Sequence, residues 1–249
     1  MVQIIKNKSM KKLKFVILTA FISIMAIHIQ AQTVDELQSN YIKALGGKEK
    51  IDGLKDIVME TSMQVMGMEL PAKIWIVYNT ATRQEIEVQG QKIITFIGKD
   101  KGWSINPLMG STDAQPLPDE AVKNAAGSLT LGGELTDYKA NGYTATYEGK
   151  DTVNGTAVHK IQLSKGDVVS TVYIDAASYY LIRNITKATV MGQQVEQTTN
   201  YSDYKKTPDG FLFAYNTVIN SPMVGEIKAT ITKIDVNTSP DIKELEKIN

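Results

Sequence analysis

Few side chains in this sequence are equipped for covalent or acid–base chemistry. The chain holds two histidines, His28 and His159, and no cysteine. A histidine works as a general base, proton shuttle or metal ligand when other polar groups converge on it. His159 instead alternates with Ala157, Ile161 and Leu163. That is the apolar face of a predicted strand, so it reads as a half-buried histidine bonded to its neighbours. The sequence carries no His-Glu-x-x-His helix, no Gly-x-Ser-x-Gly elbow and no Walker phosphate loop. Carboxylates are plentiful but interleaved with basic residues, as on a solvated face, and no two stand out as a glycosidase pair. Asp235-Val236-Asn237-Thr238-Ser239 lacks the central glycine and closing glutamate of a calcium loop. The expectation is a protein that is not an enzyme and uses no metal or cofactor.

What the chain offers in quantity is adaptable apolar surface. Met59, Met63, Met66 and Met68 fall within ten residues. Methionine is flexible and polarisable, and it serves both irregular cores and surfaces that accept variable apolar partners. Ile74, Ile76, Ile86, Ile94, Phe96 and Trp103 would join Met59 and Met63 in one lining if the strand registers hold. Tryptophan pairs a large apolar body with one N–H, which suits a cavity mouth as well as a core.

The elements that must position these residues are mostly strands. Thr33-Val34-Asp35-Glu36 is a capping box, and Val34, Leu37, Tyr41, Ala44 and Leu45 recur at helical spacing, so 33–45 is an amphipathic helix that Gly46-Gly47 ends. After Lys55 the period becomes two: Ile57, Met59, Met63 and Val65 share one face and Glu60, Ser62 and Gln64 the other. About twelve such strands run to 236, separated by short turn signals such as Asn154-Gly155 and Pro208-Asp209-Gly210. No helices alternate with them, which argues for an antiparallel sheet. A sheet of this size curls, and the helix with its apolar stripe belongs on the concave face. The segment 107–135 interrupts the series and contains a short helical stretch from Asp119 to Ala126. The expected fold is therefore mainly β with α, a single domain over 32–249.

The start of the chain reads as a secretory signal peptide: a basic Met10-Lys11-Lys12-Leu13-Lys14, an apolar run from Phe15 to Ile29, and Ala31 at the cleavage point. The five lysines of 1–31 leave with it, so 27 basic residues become 22 against 27 acidic ones, a charge of −5. That balance argues against a nucleic-acid partner, whose binding draws on clustered Lys and Arg. Without a cysteine the protein cannot itself be lipidated at an N-terminal cysteine, and the expected location is soluble in the periplasm.

These residues resemble the LolA-type lipoprotein carriers and the wider group of outer-membrane lipoprotein-sorting proteins. The resemblance rests on Gly98-Lys99-Asp100-Lys101-Gly102-Trp103-Ser104-Ile105-Asn106-Pro107, on Gly142-Tyr143, Glu148-Gly149 and Val153-Asn154-Gly155, and on Tyr173-Ile174-Asp175. It continues through Tyr180-Leu181-Ile182 and Asn200-Tyr201-Ser202-Asp203-Tyr204 to Pro208-Asp209-Gly210. It implies an unclosed half-barrel covered by the N-terminal helix and by a lid formed from 107–135. It also implies a hydrophobic cavity for acyl chains, with acylated lipoproteins or lipids as partners, inner-membrane machinery as donor and an outer-membrane acceptor. In the family an arginine after the second strand helps gate the lid. No basic residue lies just after Trp75-Ile76-Val77, so Arg83 is the gating candidate, or else a solvent-facing arginine paired with Glu85 or Glu87. Two other readings stay open: a sensor or regulatory module binding a polypeptide on the same scaffold, and a packed structural domain.

Overall fold

A computed structural model describes residues 33–248 apart from 126–128, 130, 131, 191, 192, 223 and 224. The expected leader and its cleavage point lie outside these residues. Helix α1 (Val34–Ala44) starts at the capping box: Glu36 N–H donates to Thr33 Oγ1 at 3.2 Å and Thr33 N–H to Glu36 Oε2 at 3.0 Å. A short α2 (Lys48–Gly53) follows.

Thirteen strands then form one antiparallel sheet. The first six are β1 (Asp56–Val65), β2 (Met68–Val77), β3 (Ala81–Val88), β4 (Gln91–Gly98), β5 (Gly102–Asn106) and β6 (Ser111–Pro116). After α3 (Asp119–Ala125) come β7 (Thr144–Val153), β8 (Thr156–Lys165), β9 (Val168–Asp175) and β10 (Leu181–Val190). Strands β11 (Gln193–Lys206), β12 (Leu212–Ser221) and β13 (Gly225–Val236) and a last helix α4 (Ile242–Glu246) complete the chain. The spatial order is β6-β5-β4-β3-β2-β1-β13-β12-β11-β10-β9-β8-β7. Every strand pairs with its neighbour in sequence except at the centre, where β1 meets β13. The sheet is not closed into a barrel, and β6 and β7 are its two edges.

The registers sort the side chains into two faces. Ile57, Met59 and Met63 of β1 pair with Ile76, Ile74 and Leu70 of β2, and with Val236, Ile234 and Ala229 of β13. This is the concave face, and α1 packs on its far half. Leu37 and Tyr41 meet Ile161 and Leu163 of β8, Val172 and Ile174 of β9, and Leu135 and Tyr138 from the turn before β7. Each fully buried Leu or Ile there is worth about 1.5–3 kcal/mol, so this cluster holds the helix against the sheet.

The opposite face has a core of its own. Ala81, Ile94, Phe96, Trp103 and Ile105 pack with Leu245 of α4, with Trp75 and Val77 at the margin. Helix α4 was not anticipated. Its signals were Asp241, whose side chain caps the Lys243 N–H, and Ile242 and Leu245 three residues apart.

The segment 107–135 differs in part from expectation. Asn106-Pro107 does end β5, but the chain leaves the sheet for a single 3₁₀ turn (Pro107–Met109) and returns as β6, pairing Trp103 with Pro116. Proline is tolerated there because β6 is an edge strand. The helical part then covers the concave face at β5: a Cβ at Gly102 would lie 3.0 Å from Leu117 Cδ1 and 3.1 Å from Val122 Cγ2.

Asp56 fastens β1 to the end of β13. Its carboxylate, 2% exposed, accepts from Thr238 N and Thr238 Oγ1 through Oδ1 and from Ser239 N through Oδ2, at 2.7, 2.8 and 3.1 Å. Hydrogen bonds to a charged group contribute about 1.5–3 kcal/mol, and stranded donors add to the cost of losing them. Asp56→Ala should therefore lower stability by about 3 kcal/mol in urea denaturation, whereas Glu60→Ala, on an exposed position of the same strand, should change it by less than about 0.5 kcal/mol.

Candidate functional site

The concave face is only half filled by α1. Where the helix ends, a chamber of about 420 Å³ opens between the sheet and the segments above it. Its walls come from both ends of the chain: Met59, Met63 and Ile74 from β1 and β2, and Phe213, Ile219 and Ile231 from β12 and β13. Leu45, Ile51 and Leu54 close it from the helical side.

Tyrosines sit at its inner boundary with their hydroxyls engaged. Tyr41 Oη donates to the Gly132 carbonyl at 2.7 Å, and Tyr204 Oη to the Leu181 carbonyl at 2.5 Å. Burial pushes the ionisation of Tyr41, Tyr78 and Tyr204 well above the ordinary phenol range, so they are neutral donors. Gly132 (φ +74°) is there for space as well as conformation: a Cβ would lie 2.4 Å from Thr136 Oγ1 and 2.9 Å from Leu45 Cδ1.

A second chamber of about 460 Å³ adjoins the first and shares Tyr41, Gly132, Gly133, Leu181 and Tyr201 with it. Its lining is different in kind. Glu134, Asn184, Thr186, Gln197 and Thr199 face it. The first chamber is almost wholly apolar, whereas the second sets these polar side chains among Leu135, Val172, Ile174, Ala188 and Val195 and is the more polar of the two.

The sequence-derived candidates divide between the two faces. Met59, Met63 and Ile74 line the apolar chamber. Ile76 is on the same face and packs with Leu54, Ile57 and Phe211. Ile86 pairs with Ala72 on that face too, outside the chamber lining. Ile94, Phe96 and Trp103 are on the opposite face, where Phe96 and Trp103 stack at 5.8 Å beneath α4. The single lining expected from the sequence is corrected by the β3–β4 turn. With Gln89 and Gly90 as its two residues, Val88 pairs with Gln91, so Ile86 faces with Ile93, and Ile94 with Glu85. Met66 and Met68 are exposed at the β1–β2 turn, at 82% and 44%.

Arg83 is likewise on the opposite face. It does pair with Glu85, Nε to Oε1 at 2.9 Å, but it is 4% exposed and does not face solvent. Its Nη1 donates to the Leu245 and Lys247 carbonyls at 2.8 and 2.9 Å, and its guanidinium lies over Trp103. It fastens the carboxyl end of α4, where unpaired carbonyls attract a cation. Arg83→Met should cost about 3 kcal/mol in urea denaturation, and Arg83→Lys should recover only part of it, because a point charge cannot reproduce the planar fork.

His159 has partners but no catalytic arrangement. Its Nδ1 lies 3.0 Å from Tyr147 Oη and its ring stacks on Tyr179. Burial holds its pKa below the ordinary value, Lys150 adds to this and Asp175 opposes it. The folded protein thus resists a proton that the unfolded chain accepts near pH 6.5. The stability from this residue is complete above that pH and declines as pH falls below it. The urea midpoint should drop between pH 7.5 and 5.5, and His159→Gln should drop less. Among the described residues no group of three or more His, Asp or Glu side chains is placed to hold a metal ion.

Against this geometry the comparisons are informative about fold. No protein-family model matches the sequence, and no curated protein matches it. Solved structures do. An outer membrane lipoprotein-sorting protein domain from Vibrio parahaemolyticus superposes with a TM-score of 0.55 at 12% identity, over 86% of this chain and 97% of its own. A DUF1329 family protein from Desulfovibrio piger gives 0.56 at 12%, over 86% and 97%. A LolA superfamily protein from Nitrosomonas europaea gives 0.54 at 10%, over 82% and 96%. The chain has a LolA-like fold.

The side of the cavity built from β12 and β13 was missed from sequence. So was the whole polar chamber. Alternation marks which residues share a face, but β13 lies beside β1 only through a pairing of residues far apart in the chain, Ile57 with Val236 for example.

Proposed function

We propose that this protein is a periplasmic carrier that shelters the acyl chains of a lipoprotein or related lipid in the apolar chamber, taking them from inner-membrane machinery towards an outer-membrane acceptor. The observation that carries this reading is the chamber itself, about 420 Å³ of space walled by Met59, Met63, Ile74, Ile219 and Ile231. That volume is within the roughly 300–1,000 Å³ of small-molecule sites. A domain built only for packing closes such a space, since voids larger than a methyl group are destabilising. Methionines on the wall suit a chain of variable length and shape.

The energetics suit a carrier. Each buried methylene contributes about 0.8 kcal/mol, so ten of them correspond to roughly 8 kcal/mol, near micromolar affinity. That is tight enough to keep a chain out of water and loose enough to release it. The LolA-like fold and the leader read from 1–31 support a site of action beyond the inner membrane.

Native mass spectrometry of protein expressed from the full chain and purified without detergent should show a mass above the polypeptide, lost on mild activation and identifiable as lipid or lipoprotein. Met63→Glu or Ile74→Glu should remove most of it, and Trp103→Phe, on the opposite face, should leave it unchanged. A clean polypeptide mass that stays clean after incubation with acylated peptides would overturn lipid carriage in favour of the polypeptide-binding reading.

A further inference from the structure

We infer that the polar chamber seats the head group of the bound amphiphile, and that this head is a hydrogen-bond donor, an amine, amide or hydroxyl, and not an anion. The inference rests on the carrier reading and specifies its ligand.

The lining of the two chambers is unbalanced in charge. Among the described residues that line either one there is no lysine, arginine or histidine, and Glu134 is the single charged side chain. A phosphate or free carboxylate placed here would meet a carboxylate and no cation. Buried charge without a partner is strongly disfavoured.

The same lining holds acceptors that lack donors. Glu134 Oε1 accepts from Tyr143 Oη at 3.3 Å, but Glu134 Oε2 is shielded from solvent with no hydrogen-bond partner. Asn184 Oδ1 is in the same condition. Leaving such groups unmade costs about 1–3 kcal/mol each, more for a charged one. Unsatisfied buried groups are rare in native proteins and ask for an explanation such as a ligand. Glu134 and Asn184 both line the chamber that adjoins the apolar one, so a ligand whose chain lies between Met63 and Ile219 brings its polar end alongside them, and rotation of either side chain presents its unpaired oxygen to the ligand. Tyr201, on the boundary, is held protonated with its pKa pushed up to about 12, by burial first and by Glu134 second. It adds a neutral hydroxyl and no negative charge.

Isothermal titration calorimetry at pH 7 with three probes of equal chain length, dodecylamine, dodecan-1-ol and dodecanoate, tests this below their micelle concentrations. The amine and the alcohol should bind at least tenfold more tightly than dodecanoate. Glu134→Gln should shrink the amine-to-dodecanoate ratio at least tenfold and weaken dodecan-1-ol by less than it weakens the amine, because the glutamine oxygen still accepts from a hydroxyl but no longer offers a charge to a cation. That comparison removes the general attraction of a cation to an acidic protein. Asn184→Asp, which adds a second carboxylate, should widen the ratio, and it keeps the test intact should Glu134→Gln fold poorly. Dodecanoate binding as tightly as the amine, or a ratio that neither variant moves, overturns the head-group assignment and leaves the carrier reading standing. If none of the three chains binds, the carrier reading fails and this inference falls with it.

Discussion

Strand β1 pairs with β2 on one side and with β13 on the other, and the cavity depends on the second pairing. Met59, Met63 and Ile74 form one wall while Ile219, Ala229 and Ile231 form the other, so neither half of the chain encloses the space alone. The backbone ladder from Ile57–Val236 to Val65–Ile227 joins them, and a buried carboxylate anchors its end. Asn237 extends the anchor, accepting from Lys55 N–H through Oδ1 and donating to the Gly53 carbonyl through Nδ2. These bonds also fix the end of α2, whose Ile51 lines the apolar chamber. Closing so long a loop is entropically costly, and a well-satisfied polar clamp at the junction offsets part of that cost.

A sheet apolar on both faces has to bury both. On the concave side α1 covers the strands from β7 to β9 and stops, leaving the central strands to the cavity. On the other side α4 covers β3 to β5, and Arg83 ties it down through its backbone carbonyls. The division of labour is clear: one face stores rigidity, the other keeps space. The cavity face even changes character along its length, from isoleucine and methionine to a mixture in which threonine, asparagine and glutamate stand among valine, leucine and isoleucine.

Much of this was legible in the sequence, and the failures have identifiable physical causes. The capping box at Thr33, the period-two strands and the Asn154-Gly155 hairpin turn, both residues at positive φ, are local signals and were read correctly. Met59, Met63 and Ile74 could be assigned to one face because β1 and β2 form a tight hairpin. Ile94, Phe96 and Trp103 were misplaced because the parity of a hairpin depends on its turn length. Counting two residues at Gln89-Gly90 would have sent them to the other side. The unbroken run Ile74-Trp75-Ile76-Val77 was a further clue, since a strand buried on both faces loses its alternation. The polar chamber had no local signature: Glu134 precedes the sheet's second half, Asn184 is on β10 and Gln197 on β11, and only the fold brings them together. Strand β6, polar and ending in proline, lacks the apolar alternation by which strands are recognised.

The placement of the aromatic residues has a consequence for spectroscopy. The chain has two tryptophans, Trp75 and Trp103, and both are on the face away from the cavity, in or beside the cluster under α4. The aromatic residues that border the cavity are Tyr41, Tyr78, Tyr201 and Tyr204 with Phe211 and Phe213. Intrinsic emission excited at the red edge of the indole band therefore reports whether α4 is docked and is blind to whether the cavity is occupied. Ultraviolet difference absorption of the tyrosines is the optical signal that senses the interior.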